Sequence, residues 1–466
     1  MKQSAGKDSC DDRTLLVPVF WMAVALAIVP AAWAILASRD LVYDGAYYLL
    51  GIAARGTFQL FEPARLMPQI LQQGFAVAGA RLGVRDLWTL GVLFSLGASG
   101  WPVLLTMLCW FVLPRGQKSW IAGPLLNLVF AIPATNFIGI SEGIIASCLL
   151  WLAFLLVEFR ATSPAGALAC IAASVACTAA HESAVLCLLV IALAARLHLR
   201  DTKGFCRAAM LLVALVTLAG AGNMLRWILF PRSAVERSDF LMGMLGGFFG
   251  SPLAPNIAAL ASTIAAVGCA AAWIFSAKRP WVAVIVTIAM LVILFAVLAA
   301  EPAEAIAPSR LFAARGLPVA LTTLFAALFL WLRQQGMTPA RFAGAPVLAI
   351  VLSLAVVQAA MQALATAQWN GYVGALRQLV STQVGVISHK SAMRFVDPQG
   401  YRFRRELLQS WSVEPLSLVL APQGRVQAFI MAAPQARWVP YDPGKPSTLP
   451  HVPGLDWSGF VLRAVR

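Results

Sequence analysis

Three short polar stretches interrupt an otherwise apolar chain: Arg39-Asp40-Leu41-Val42-Tyr43-Asp44-Gly45-Ala46-Tyr47-Tyr48, Ser141-Glu142-Gly143 and His181-Glu182-Ser183. Their carboxylates are the groups fit to move protons. A carboxylate just outside a membrane segment can take the proton of a hydroxyl acceptor while a lipid-linked donor approaches from the bilayer. Asp40 and Asp44 are four residues apart, so a helical loop would project both from one face, beside Tyr47 and Tyr48. An acid this close to a bilayer must be solvated, paired or turned into a cavity. Three acid-bearing stretches on one side therefore predict a shared polar chamber. The competing expectation is structural: Asp caps helices, and Glu142 and Glu182 suit helix starts, where the dipole favours negative charge.

Other chemistries lack their residues. His181 and Glu182 make two metal ligands where a site takes three or more. Asp44 is followed by Gly45, so no paired-acid motif supports a divalent metal, which stays open, and no cofactor is assigned with certainty. His-Glu-x-x-His, Walker, Gly-x-Ser-x-Gly and dinucleotide-binding patterns do not occur. None of the eight cysteines falls in the first long loop or the C-terminal tail. A disulfide framework is thus not expected there.

The elements that must position these residues follow from composition. The chain has 466 residues, 60% hydrophobic and 12% charged, with a mean hydropathy of +0.79. Repeated apolar runs of about 20 residues match a bilayer and predict an all-α polytopic membrane protein. Eleven spans are expected, near 15–37, 87–113, 120–138, 143–158, 164–180, 183–198, 208–230, 256–277, 281–300, 316–332 and 342–365. Connections carrying Arg115, Lys118, Arg160, Arg196, Arg200, Lys203, Arg207, Lys278, Arg279, Arg333 and Arg341 alternate with acid-rich ones. The basic set is expected in the cytoplasm. This puts the N-terminus inside, the C-terminus outside and the chain in a plasma membrane of bacterial inner-membrane type. The net charge of +15 suits anionic lipid and does not call for nucleic acid. The first apolar segment exceeds a signal-peptide core and reads as an uncleaved anchor.

Residues 1–367 form the membrane part. Within it, the first outer loop at 38–86 should hold two amphipathic interface helices. One presents Tyr47, Leu49, Leu50, Ile52 and Ala53, the other Leu66, Ile70, Leu71, Phe75 and Val77, with Gly56-Thr57-Phe58 turning between them. A Gly-rich stretch at 231–255 and a loop from Glu301 to Arg315 follow. Residues 368–466 form a small outer appendage, in which the runs at 416–420 and 426–430 around Pro422-Gln423-Gly424-Arg425 predict a β-hairpin.

An acid-bearing first outer loop, a following amphipathic helix and many spans resemble the GT-C fold of membrane glycosyltransferases. So do the outer turns Ser141-Glu142-Gly143-Ile144-Ile145 and His181-Glu182-Ser183-Ala184-Val185-Leu186, each an acid followed by a small residue and an aliphatic helix. The resemblance covers residues 15–365. It implies transfer of a sugar, with inversion, from a polyprenyl-phosphate carrier to an acceptor on the outer side. Asp44, with Asp40 beside it, would accept the acceptor's proton. Tyr47, Tyr48, Glu142, His181 and Glu182 would line the chamber. Arg310, Arg315 or Arg65 would balance the departing phosphate, guanidinium being well matched to it. The alternatives are a transporter or flippase for a lipid-linked substrate, and a non-catalytic subunit of envelope polysaccharide assembly. Few polar residues (Asn127, Asn223 and Gln358) lie mid-span to serve transport.

Overall fold

The computed structural model describes residues 11–135, 142–230, 308–335, 345–396, 407, 410–421 and 426–431. Its long helices follow the apolar runs: α1 (Asp11–Leu36), α4 (Leu87–Val112), α5 (Ala122–Thr135), α6 (Glu142–Arg160), α7 (Pro164–Cys177), α8 (Val185–His198), α9 (Gly204–Leu229), α10 (Pro308–Gln334) and α11 (Ala345–Thr382). Between α1 and α4 lie α2 (Gly45–Arg55) and α3 (Leu66–Arg81). The tail holds β1 (Gly385–Ser388), α12 (His389–Val396), α13 (Ser410–Val419) and β2 (Ala428–Met431). Local chemistry marks the boundaries. Asp86 caps α4 by accepting the Thr89 N–H at 2.7 Å, and Ser163 caps α7 just before Pro164. Gly56, at φ 63°, ends α2 in the left-handed conformation.

Among the described residues, five stretches are long and apolar enough to cross a membrane: Leu16–Leu36, Leu87–Val112, Glu142–Arg160, Gly204–Leu229 and Val351–Thr382. The chain is thus a mostly helical membrane protein. Of the eleven expected spans, those at 256–277 and 281–300 lie outside the described residues, as does the Gly-rich stretch at 231–255. The helices α5, α7 and α8 stand where spans were expected but have 14 residues each. Each rises about 21 Å, against a hydrocarbon core of about 30 Å.

Side-chain bonds between helix ends fix how the helices run. At one end, the last turns of α6, α8 and α10 meet: Arg333 pairs with buried Glu158, and its Nη1 lies 3.2 Å from His198 Nε2. Arg160 also donates there to the Val112 and Phe111 carbonyls that end α4, at 2.8 and 3.1 Å. All four helices therefore run parallel. In the bundle interior, Asn127 of α5 donates to Ser147 of α6 at 2.8 Å and accepts from Thr322 of α10 at 3.4 Å. This is a satisfied polar clamp between three apolar helices.

The opposite end carries the first loop and the tail, packed into one apolar cluster. It joins Leu41, Leu49, Leu50 and Ile52 to Leu90 and Phe94 of α4, to Trp369, Tyr372 and Leu376 of α11, and to Val413 and Leu416 of α13. Arg377 lies over the Trp88 ring, 4.8 Å from its centre. The expected β-hairpin is absent. The run at 416–420 belongs to α13 and the turn after it, and β2 pairs in parallel with β1, Gly385 opposite Ala428 through Ser388 opposite Met431. Val413, Leu416, Val419 and Leu420 recur at helical spacing and are all buried, which outweighs the short alternation that suggested a strand. The helix α11 continues to Thr382, well past the span expected to end at 365, and carries the tail on its extension.

Candidate functional site

The acidic turn after α1 does not form one helix. Arg39–Leu41 make a 3-10 turn, bracketed by Ser38 at φ 51° and Tyr43 at φ 57°, both left-handed and neither glycine. Such residues cost about 1–2 kcal/mol each, so the surrounding structure must hold them. The two charges of the turn do so. Arg39, 1% exposed, donates from Nη1 to the Gln362 carbonyl (3.1 Å) and Thr366 Oγ1 (2.9 Å), and from Nη2 to Gln362 Oε1, all on α11. Burial lowers its pKa, and Asp40 beside it opposes that shift. Asp40, also buried, accepts from Ser99 Oγ at 2.7 Å, and its own N–H donates to Ser95 Oγ at 3.2 Å, both on α4.

Asp40 and Asp44 therefore do not share a face. Asp44 is half-buried at the N-cap of α2 and makes no side-chain cap bond. Tyr47 follows one turn later; burial raises its phenol pKa, Arg55 opposes the rise and Asp44 adds to it. Tyr48 stacks on Phe61 with centroids 5.5 Å apart, and Tyr47 packs on the same ring at 5.5 Å. Phe61, 43% exposed, leads four residues later into Arg65.

Arg65 joins the other two acidic stretches. Its Nε donates to Glu182 Oε2 at 2.9 Å, Nη2 bonds Glu182 Oε1, and Nη1 reaches Glu142 Oε2 at 3.3 Å. Gln69 Nε2 donates to Glu142 Oε1 at 3.1 Å, and His181 Nδ1 lies 3.5 Å from Glu182 Oε2. Burial alone would raise the Glu182 carboxyl, but the Arg65 guanidinium and His181 hold it well below the usual carboxylate range. Burial would likewise lower Arg65, yet Glu182 and Glu142 raise it well above its ordinary value.

The elements explain how this cluster forms. The short helices α7 and α8 leave their connecting turn recessed, and the Met67 N–H donates to the Ala179 carbonyl at 2.9 Å, drawing the start of α3 over that turn. Glu142 opens α6, Glu182 stands just before α8 and Arg65 just before α3, so three helix N-termini converge on one point. Each brings about half a positive charge. Arg65 is thus engaged by two carboxylates, and the expectation that it balances a phosphate needs an exchange of partners.

Two further observations bear on the expectations. The first concerns α3: of the apolar residues expected to lie at the membrane interface, Leu66, Ile70, Leu71 and Phe75 are half-exposed or exposed, and Val77 is buried. The buried face carries Gln69, Gln72 and Gln73. The glutamines at 69, 72 and 73 have helical spacing and form a buried stripe. The second concerns Arg310 and Arg315. They lie within α10 rather than in a loop. Five residues apart, their backbone positions are separated by about 140° around the helix axis.

The structure also divides the expected chamber. The face of α4 with Ser95 and Ser99 holds Asp40, whereas Gly97, about 180° round the helix, meets the α3 backbone at the Gln72 carbonyl. So Asp40 and the α3 helix flank α4 on opposite sides. Among the described residues no group of three or more His, Cys, Asp or Glu is arranged to hold a metal. Comparison with family models, curated proteins and solved structures returns no match for this chain.

Proposed function

We propose that the protein is a membrane glycosyltransferase of GT-C type, moving a sugar from a polyprenyl-phosphate carrier to a hydroxyl acceptor on the outer side. The observation that carries this reading is the convergence of Arg65, Glu142, Glu182 and His181 into one buried polar cluster beneath the first loop, with Asp44, Tyr47 and Tyr48 on the neighbouring helix α2. A charged cluster of that kind at the end of apolar helices is costly and marks function by default.

In the proposed reaction the acceptor hydroxyl attacks the anomeric carbon. Its proton passes to the Asp44 carboxylate as the new C–O bond forms. The bond from the anomeric carbon to the phosphate oxygen breaks, and its electron pair leaves on the polyprenyl phosphate. Arg310 or Arg315 offsets that charge. Asp40, buried and bonded to α4, positions the turn that carries Asp44. The outer face is the one that holds the first loop and the tail, and the basic end, with Arg115, Lys118 and Arg160, faces the cytoplasm.

The clamp made by Asn127 uses up one of the few mid-span polar groups, and Asn223 is exposed on the surface of α9, which leaves little for transport. The test is bond cleavage. Vesicles containing the protein and polyprenyl-phosphate hexoses labelled in the sugar should form free polyprenyl phosphate once acceptor is added. Movement of intact labelled lipid between leaflets, with no phosphate released, would instead identify a flippase.

A further inference from the structure

We propose that the glutamine face of α3 is a subsite for a neutral, hydroxyl-rich ligand, which on the reading above is the acceptor. Three glutamines are buried there, Gln69 and Gln73 completely and Gln72 to 8% exposure. Gln73 is satisfied at both ends: its Oε1 accepts the Gln59 N–H at 2.7 Å and its Nε2 donates to the Gln59 carbonyl at 2.9 Å. It locks α3 to the strand-like segment before it. The other two are different. Gln69 uses Nε2 on Glu142, which fixes its amide orientation, because the flipped amide would turn an oxygen against the carboxylate. Among the described residues its Oε1 then has no donor, and neither has Gln72 Oε1. Buried acceptors without donors are uncommon and expensive, so two neighbours on one helix face call for an explanation.

The chemistry of the site selects the ligand. Gln69 Oε1 and Gln72 Oε1 are acceptors one turn apart on α3, and Gln69 bonds the Glu142 carboxylate, so what binds must donate hydrogen bonds. Charge narrows it further. Arg65 with Glu142 and Glu182 sums to minus one, and the three converging helix N-termini return about half a charge each, leaving the site about half a charge positive. A phosphate gains nothing from acceptors, and an ammonium is disfavoured by that residual positive charge. Hydroxyl groups fit both conditions. Access is from the loop end, where Arg65, Glu142 and Glu182 keep 10–12% side-chain exposure. Of the apolar residues of α3, Phe75 is 40% exposed, whereas Met67 and Leu71 pack on the bundle and the three glutamines are buried.

The test uses the full-length protein in lipid nanodiscs and needs no catalysis. Its thermal midpoint is followed against a panel of methyl glycosides (gluco, manno and galacto) and myo-inositol, with the permethylated glycosides as controls that keep the ring but remove every donor. At least one polyol should stabilise the protein saturably, and its permethylated form should not. Gln72→Met, which removes one acceptor and breaks no bond in the structure, should weaken that polyol about tenfold, the worth of one hydrogen bond to a buried acceptor. Gln72→Glu, which keeps acceptors at the same length, should bind more tightly than Gln72→Met. Equal stabilisation by the permethylated compounds, no stabilisation by any polyol, or unchanged affinity in Gln72→Met would overturn the subsite. Polyol binding without sugar transfer would leave the subsite standing and remove the transferase reading, whereas transfer without polyol binding would do the reverse.

Discussion

At the residue scale, Arg65 decides whether the buried cluster is stable. A guanidinium supplies five donors in a fixed fork, which is what lets one side chain grip Glu182 with two bonds and still reach Glu142. Arg65→Met strands two buried carboxylates and should cost about 3–5 kcal/mol of unfolding free energy, read by thermal or denaturant unfolding in detergent. Arg65→Lys should recover only part of it. Arg65→Met combined with Glu142→Gln and Glu182→Gln should recover more than Lys does, because no buried charge is left unpaired. If Arg65→Met unfolds like the wild type, the cluster is solvated rather than buried. The pH dependence follows from Glu182. Its folded pKa is depressed, so its stabilising contribution is complete above the ordinary carboxylate value, about 4.3, and is lost as pH falls below it towards the folded value. The protein should show no loss from this group between pH 7 and 5. Below about pH 4 it should weaken progressively, and Glu182→Gln should flatten that acid limb. An acid limb identical in Glu182→Gln would mean other carboxylates control it.

At the element scale, two close approaches hold the site together. A Cβ on Gly97 would lie 2.0 Å from the Gln72 carbonyl oxygen, and one on Gly45 would lie 2.0 Å from the Asp40 carbonyl oxygen. Glycine is needed where α3 crosses α4 and where α2 leaves the strained turn. Gly97→Ala should destabilise by about 1–3 kcal/mol by forcing α3 off α4. Gly100→Ala, on the same helix but meeting only Leu96 at 3.5 Å, should stabilise by about 0.5–1 kcal/mol. Equal effects of the two substitutions would contradict the crossing. At the other end of the bundle, Arg333→Met leaves Glu158 buried at the C-termini of three helices, with the dipoles against it. The expected cost is about 3 kcal/mol, the low side for a broken buried pair, since Arg333 is partly exposed. Most helices were legible in the sequence, because apolar runs of that length leave the backbone few alternatives. What was not legible is the buried glutamine stripe of α3. The apolar residues of that helix were expected at the membrane interface, and the glutamines at 69, 72 and 73 gave no expectation of their own until α4 and α6 are seen beside them. The tail misled for a different reason: Leu416 to Leu420 alternates over too few residues to separate strand from helix, and burial on α2 and α11 decided it. The pairing of Arg65 with two acids 77 and 117 residues away had no local signal at all.

At the scale of the whole molecule, the first loop, the starts of α4, α6 and α8, and the tail all gather at one end, while the ends of α4, α6, α8 and α10 gather at the other. The sequence had put the three acid-bearing stretches on one side, and the structure groups Glu142 and Glu182 while setting Asp40 across α4 from α3. On the proposed orientation a reporter fused after Arg466 is active only outside the cytoplasm, and cytoplasmic activity would reverse the assignment of ends. The central claim is that this end transfers sugar with Asp44 as the base, and the most direct measurement is the transfer rate of Asp44→Asn beside the wild type, in vesicles carrying labelled polyprenyl-phosphate hexoses and a hydroxyl acceptor. The substitution preserves size and hydrogen bonding and removes the basic carboxylate. The account predicts transfer by the wild type and a fall of about 100-fold or more in a variant that folds and unfolds as the wild type does. Transfer by Asp44→Asn at the wild-type rate would contradict it.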